Sequence, residues 1–216
     1  SWNIQKTLQL GWEQGLDSWA SQADLLLLQE AVDKPALTAW LQQHQLRWQQ
    51  VTAFRYEGVS MGVLTGARVP AVYSCAWKLA ETAIRLPKSA LVNLYPVEGS
   101  QIPLLVINLH ALNFELGMAA WRDEMRQLGR WAKRHRGPVI VAGDFNSWGS
   151  KRSALLAQEM RRANLREVAW QPEARSLVLG TPLDHIYYRG LQVASAVVTP
   201  TDASDHNPLQ VRVAVQ

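Results

Sequence analysis

The feature that most limits what this chain can become is a set of short, wholly apolar runs, each stopped by polar side chains. Leu25-Leu26-Leu27-Leu28 leads into Gln29-Glu30, Leu104-Leu105-Val106-Ile107 into Asn108-Leu109-His110, and Val139-Ile140-Val141-Ala142 into Gly143-Asp144-Phe145-Asn146. Apolar runs of about four to eight residues that do not alternate with polar ones read as strands covered on both faces. They fall far short of the roughly 20 residues needed to cross a bilayer, so no membrane span is expected. A carboxylate or imidazole closing such a strand stands where an uncompensated charge is costly, and a partner or bound cation is expected beside it.

The segments between these runs set the fold class. Trp12, Leu16, Trp19, Ala20 and Ala23 recur at helical spacing before the first strand, and Pro35 opens a second short helix through residue 46. Extended stretches follow at 48–54, 61–65, 69–77 and 90–97. A basic amphipathic helix spans 118–135 and stops at Gly137-Pro138, and another spans 151–164 with Leu155, Leu156, Met160 and Ala163 on one face. Strands at 166–170, 183–188, 193–198 and 209–215 complete the chain. Several successive strands have no helix between them, which favours a mixed, layered α/β domain over a doubly wound parallel sheet. With 216 residues, 48% of them hydrophobic, one domain over 1–216 is the expectation.

Charge and cysteine content narrow the partners. A single cysteine, Cys75, leaves no internal disulfide and no thiolate cluster for zinc, which suits a reducing, cytoplasmic setting and leaves oxygen or imidazole as metal ligands. The net charge is +4, but residues 122–166 hold eleven Lys and Arg against four Asp and Glu. A basic segment flanking an acidic site suits a polyanion such as nucleic acid; a solvated helix face is the plainer alternative. Of the ten tryptophans, Trp12, Trp19, Trp40 and Trp131 fit apolar helical patterns and read as core. Trp148, Lys151 and Arg152 follow Asp144 and Asn146 closely enough to line a site's rim, or to serve as helix-cap packing and surface charge.

Glu30, His110, Asp144, Asn146 and Asp184 close or follow apolar strands, while Asp205 and His206 precede one. Asp can bind a hard cation or orient water, and Asn can hold a phosphoryl oxygen without adding negative charge; a strand-to-turn Asx cap is the alternative for that pair. An Asp that accepts from one imidazole nitrogen fixes the tautomer and raises basicity at the other, which gives Asp184 a role beside a histidine.

In chain order, Trp2-Asn3, Leu28-Gln29-Glu30, Met61-Gly62-Val63-Leu64-Thr65, Asn108-Leu109-His110, Gly143-Asp144-Phe145-Asn146, Leu183-Asp184-His185-Ile186 and Ser204-Asp205-His206-Asn207-Pro208 together resemble the endonuclease/exonuclease/phosphatase superfamily, in the manner of a bacterial subgroup. The resemblance implies a four-layer α/β/β/α sandwich with two facing mixed β-sheets and a divalent-metal-dependent phosphodiesterase site. It implies Glu30, Asn3 and Asp205 as metal ligands, Asp144 to position or activate water, and Asn146 to hold a phosphoryl oxygen. His206, oriented by Asp184, would contact the phosphate, and His110 would assist the leaving oxygen. Oxygen ligands favour Mg²⁺, with Mn²⁺ as a substitute.

Departures from the pattern also matter. The AP-endonuclease branch carries an Asp where this chain has Gln5, and His110 points to the deoxyribonuclease and sphingomyelinase branches, with Glu57 as a candidate partner by position. Asn146-Ser147-Trp148 and Thr181-Pro182-Leu183-Asp184 do not reproduce the 5-phosphatase motifs. The chain opens at Ser1 with Trp2-Asn3 already in a motif, so a preceding strand is expected to be missing and a sheet edge exposed. Nucleic acid is the expected substrate; a lipid or small-molecule phosphodiester, or a catalytically silent binding module, are the alternatives.

Overall fold

In a computed structural model, residues 1–7, 9–56, 58–80, 87–113 and 118–216 are described. Glu57 lies outside them. Two mixed sheets face one another. The first has the order β1-β2-β4-β3, from β1 (Trp2–Asn3), β2 (Leu25–Val32), β3 (Arg47–Tyr56) and β4 (Val59–Ala67), with β1 and β2 parallel. The second has the order β5-β6-β7-β8-β12-β9, from β5 (Tyr73–Ala80), β6 (Pro87–Val97), β7 (Ser100–His110), β8 (Val139–Asp144), β9 (Arg166–Glu167) and β12 (Asp184–Arg189), with β7 and β8 parallel. Hairpins β10 (Leu177–Val178) with β11 (Thr181–Pro182), and β13 (Leu191–Val198) with β14 (Leu209–Val215), complete the strands.

The apolar runs divide their side chains between two layers, as period-two geometry requires. From β2, Leu26 and Leu28 pack with Trp12 and Leu16 of α1 (Trp12–Trp19) and Leu37, Trp40 and Leu41 of α2 (Pro35–Gln43), while Leu27 turns to the opposite face. From β7 and β8, Ile107, Leu109, Val139 and Val141 pack with Trp121, Met125 and Leu128 of α3 (Ala119–Arg134) and Leu156 and Met160 of α4 (Ser150–Arg162). Val106, Ile140 and Ala142 meet Leu27 between the sheets. The order is therefore helix, sheet, sheet, helix. Arg189 on β12 donates to Ala163 O at 3.0 Å and Ala132 O at 2.9 Å, so one guanidinium serves the C-terminal ends of both α4 and α3.

A buried amide joins the two sheets next to the site. Asn108 on β7 donates to Leu64 O at 2.8 Å and Leu28 O at 3.2 Å, and its Oδ1 accepts from Gln29 Nε2 at 2.7 Å. The core carbonyls it satisfies fix how β2 and β4 sit over β7.

Some boundaries differ from the sequence reading. α2 ends at Gln43 rather than residue 46 because Gln45 adopts a left-handed φ of 56°, which no helix continues. β5 begins at Tyr73 rather than 69, and β9 covers only Arg166–Glu167. At the sheet edge beside β1, Ser1 and Leu209 exchange both backbone hydrogen bonds, at 2.8 and 2.9 Å, so β14 runs up to the first sheet there.

Asn108→Ala removes a donor from two carbonyls and the acceptor from Gln29 while leaving a small void. It is expected to lower unfolding stability by about 2–4 kcal/mol in urea titration; a loss below about 0.5 kcal/mol would show that the amide does not hold the sheets together.

Candidate active site

β7, β8 and β12 are adjacent, and their register sets His110 opposite Asp144 and Asp144 opposite Asp184. Three ionisable groups thus share one rung at the ends of three strands. The rung forms because β8 carries Gly143 immediately before Asp144: a Cβ there would stand 2.0 Å from Leu109 O, and its φ is 139°.

Asp144 is buried and richly held. Its Oδ1 accepts from the Asn146 backbone N–H at 2.9 Å, its Oδ2 accepts from Asn3 Nδ2 at 3.1 Å, and His110 Nε2 stands 3.4 Å from that same oxygen. Asn146 takes a left-handed φ of 48° as the chain leaves β8 and donates one Nδ2–H to Ala111 O at 2.9 Å. Glu30 does not end its strand: it lies within the bulge of β2 between Leu28 and Ala31, with a left-handed φ of 51°, and the strand resumes through Val32. Glu30 Oε1 lies 3.8 Å from His110 Nε2, and Oε2 lies 3.4 Å from Lys6 Nζ.

On the other side of Asp144, His206 Nδ1–H donates to Asp184 Oδ2 at 2.6 Å. Burial alone would lower the imidazole pKa, but the Asp184 carboxylate, by charge and hydrogen bond, with Asp144 and Asp205 adding their fields, raises it to about 10. His206 is therefore an imidazolium at neutral pH. Its backbone is fixed by Trp2 Nε1, which donates to His206 O at 2.8 Å, and by Ser204 Oγ, which accepts from His206 N and donates to Asn3 O at 2.7 Å. Asp205 is mostly exposed, with Oδ1 3.9 Å from His206 Nε2.

All eight residues singled out from the sequence thus fall at one end of the sandwich, linked by contacts through Asp144 and Ser204. The link from Asp144 to His206 is electrostatic. Among the described residues, no group of three or more His, Cys, Asp and Glu side chains stands together as a metal cage. The donor chemistry nevertheless suits a hard cation. Glu30 faces the Lys6 ammonium and the His110 imidazole, and Gln5 Oε1, one residue before Lys6 in the chain, is buried with no hydrogen-bond partner among the described residues.

Arg152 differs from its expected place on the rim. It is buried, stacked 4.6 Å from the Trp148 ring centroid and 5.3 Å from that of Trp121, and donates to Asn146 O at 2.9 Å and Asn113 O at 3.0 Å. Trp148 Nε1 donates to Asn113 Oδ1 at 2.8 Å, so both residues brace the loop carrying Asn146. Lys151 is exposed at the start of α4.

The sequence reading missed a second brace. Ser147 Oγ is 2.8 Å from His185 Nε2, and His185 Nδ1 donates to Glu167 Oε1 at 2.6 Å. Arg175 reaches the same Glu167 oxygen at 2.8 Å and Asp184 O at 3.1 Å. Burial alone would raise the Glu167 pKa, but His185 and Arg175 outweigh it and hold the carboxyl below its usual range. The network ties the loop after Asn146 to the strand that begins at Asp184. Its only sequence signal was His185 beside Asp184.

Fold and site together define a layered α/β/β/α domain with carboxylates, amides and imidazoles gathered at one edge. The model of the Endonuclease/Exonuclease/phosphatase family matches residues 1–206. A UPF0294 protein of Vibrio parahaemolyticus is 40% identical over 211 residues, which cover 97% of this chain and 75% of that protein. The human Nocturnin catalytic domain with bound sulfate superposes with a TM-score of 0.76 at 20% identity, covering 100% of this chain and 93% of that one. D. rerio TDP2 with a single-strand DNA product gives 0.67 at 15%, covering 99% and 97%. The chain belongs to the Endonuclease/Exonuclease/phosphatase family, whose members are phosphoester hydrolases.

The ion pair has a definite pH signature. The folded pKa of His206, about 10, lies above its ordinary 6.5, so its stabilisation is complete below about pH 6.5 and is lost as pH rises toward 10. The gap in urea stability between wild type and His206→Gln is expected to narrow steadily across that window; a constant gap would mean that the imidazolium is not held.

Proposed function

We propose that the chain is a divalent-cation-dependent phosphodiesterase acting on nucleic acid. The observation that carries the hydrolytic reading is the single rung of His110, Asp144 and Asp184, with His206 bonded to Asp184 and Glu30 facing His110. Phosphodiester hydrolysis needs an in-line nucleophile, charge neutralisation on the phosphoryl oxygens and help for the leaving alkoxide. A cation held by Glu30, with Asn3 and Asp205 as further oxygen donors, would supply that neutralisation; Mg²⁺ fits the donor set best, with Mn²⁺ as substitute.

The chain's own groups supply the rest. Asp144, held in place by Asn3 and the Asn146 amide, orients the attacking water and takes its proton. The second N–H of the Asn146 side chain is available to a phosphoryl oxygen. The His206 imidazolium turns Nε2–H away from Asp184 and toward the developing charge. His110 delivers a proton to the departing oxygen. Support for nucleic acid comes from the basic segment: Arg122, Arg130, Lys133, Arg134 and Arg136 are exposed on α3 and beyond its end, and Lys151 is exposed five residues after Asn146.

One observation favours a second substrate reading, a lipid or small-molecule phosphodiester. The β10–β11 hairpin exposes Leu177, Val178 and Leu179 in sequence, with Thr181 and Pro182 bonded to Gly149 and Ser147 beside the site.

The test is a panel of plasmid, single-stranded and abasic DNA, RNA and choline lipids, each with and without EDTA. Nucleic acid cleavage abolished by EDTA is expected; turnover of choline lipids alone would move the substrate to the second class, and EDTA-resistant turnover would remove the cation. Asp144→Asn and His206→Ala are each expected to cost about 10²–10⁴ in rate with the fold kept, as judged by circular dichroism; losses below about tenfold would remove these roles.

A further inference from the structure

Between Asn3 and Thr7 the backbone takes a path that no residue type there calls for. Gln5, Lys6 and Thr7 all take left-handed φ values, 44°, 58° and 53°, although none is glycine. Such residues are disfavoured singly and more so in a row, and they persist only where their surroundings enforce them. Here the turn is pinned at both ends. Ile4 is fully buried and its N–H donates to Gln29 O at 3.1 Å, Gln5 N donates to Asn3 Oδ1 at 3.1 Å, and Thr7 N donates to Ile4 O at 2.8 Å.

The product of that enforced turn is one contact. Lys6, at its centre, places Nζ 3.4 Å from Glu30 Oε2, and Glu30 is itself left-handed. Two disfavoured backbone segments, on different elements, are thus spent on bringing an ammonium to the carboxylate best suited to a cation. The contact is a loose ion pair rather than a hydrogen bond, and the Lys6 side chain is 42% exposed against 20% for Glu30. It is built to be released. A long, flexible stem lets the ammonium move while the turn stays fixed.

We propose that Lys6 is a resident counter-cation for Glu30, displaced when a divalent cation binds, and that the freed ammonium then holds an anionic oxygen of the substrate phosphate. In the cation-free protein it neutralises a carboxylate set in the bulge of a buried strand. In the loaded protein it adds positive charge beside the site. The consequence is a protein that binds its cation less tightly alone than its carboxylates would allow, and more tightly together with a phosphate, since each ligand favours the same displaced Lys6.

The proposal rests on the cation-centre reading given above, and the experiment separates the two. Mn²⁺ is titrated calorimetrically into EDTA-dialysed wild type, Lys6→Met, Lys6→Asn, Lys6→Arg and Glu30→Gln, and inorganic phosphate is then titrated into each at saturating Mn²⁺. Asn is included because it tolerates the left-handed region, so a fold defect in the Met variant leaves a second neutral variant to read. Neutral variants are expected to bind Mn²⁺ about fivefold tighter and phosphate about fivefold weaker than wild type, the scale of a partly exposed ion contact, with Lys6→Arg close to wild type. Both differences should shrink between about 50 mM and about 500 mM KCl. If Glu30→Gln loses Mn²⁺ but the neutral variants match wild type toward either ligand, the proposal falls and the cation centre stands; if Glu30→Gln binds Mn²⁺ as wild type does, both fall.

Discussion

The structure turns on a constraint of solvation: β2, β7 and β8 are covered on both faces, so charge is tolerated only where a strand ends, as at His110 and Asp144, or is broken by a bulge, as at Glu30. Leu26 and Leu28 face one helix layer, Leu27 the space between the sheets, and the same division holds for Ile107 against Val106 and Val141 against Ile140. Side chains that cannot be paired inside such strands collect where the strands stop. Because β7 and β8 are parallel and in register, they stop together, and β12 starts beside them. The site is the common edge of three buried strands rather than an addition to the fold.

Bringing Asp144 and Asp184 to one rung sets two carboxylates side by side in a poorly solvated place, which by itself is unfavourable. The surrounding groups answer each in a different way. Asp184 receives a full positive charge from His206, while Asp144 receives neutral amide donors from Asn3 and Asn146 with His110 nearby. One carboxylate is thereby committed to its histidine. The other is held by neutral donors, with His110 beside it.

Much of this could be read from the chain, because burial pattern and strand ends are written in residue order. The helices α1, α3 and α4 and the residues from Asn3 to His206 that meet at the site were legible for that reason. What could not be read is what depends on carbonyl direction and backbone handedness. Arg152 looked like a surface cation, yet the oxygens of Asn113 and Asn146, with two indole rings, draw it inside. Gln5-Lys6-Thr7 carries no turn-forming residue, so nothing announced a left-handed turn. The chain from Ser147 through His185 to Glu167 joins residues whose separations, 38 and 18, have no periodicity to betray them.

The bonds between Ser204 and Asn3, 201 residues apart, and between His206 and Trp2, 204 apart, have a temporal meaning. During synthesis the segment bearing Glu30 emerges long before the one bearing Asp205 and His206. Contacts of such separation are among the last a chain can make. A nascent or partly folded molecule therefore holds an acidic half-site without the His206 imidazolium and with the Asn3 carbonyl not yet bonded to Ser204. On the proposed reading, hydrolytic competence would arrive in one step, when the last strand docks, so that a fragment lacking that strand would be inert rather than weakly active.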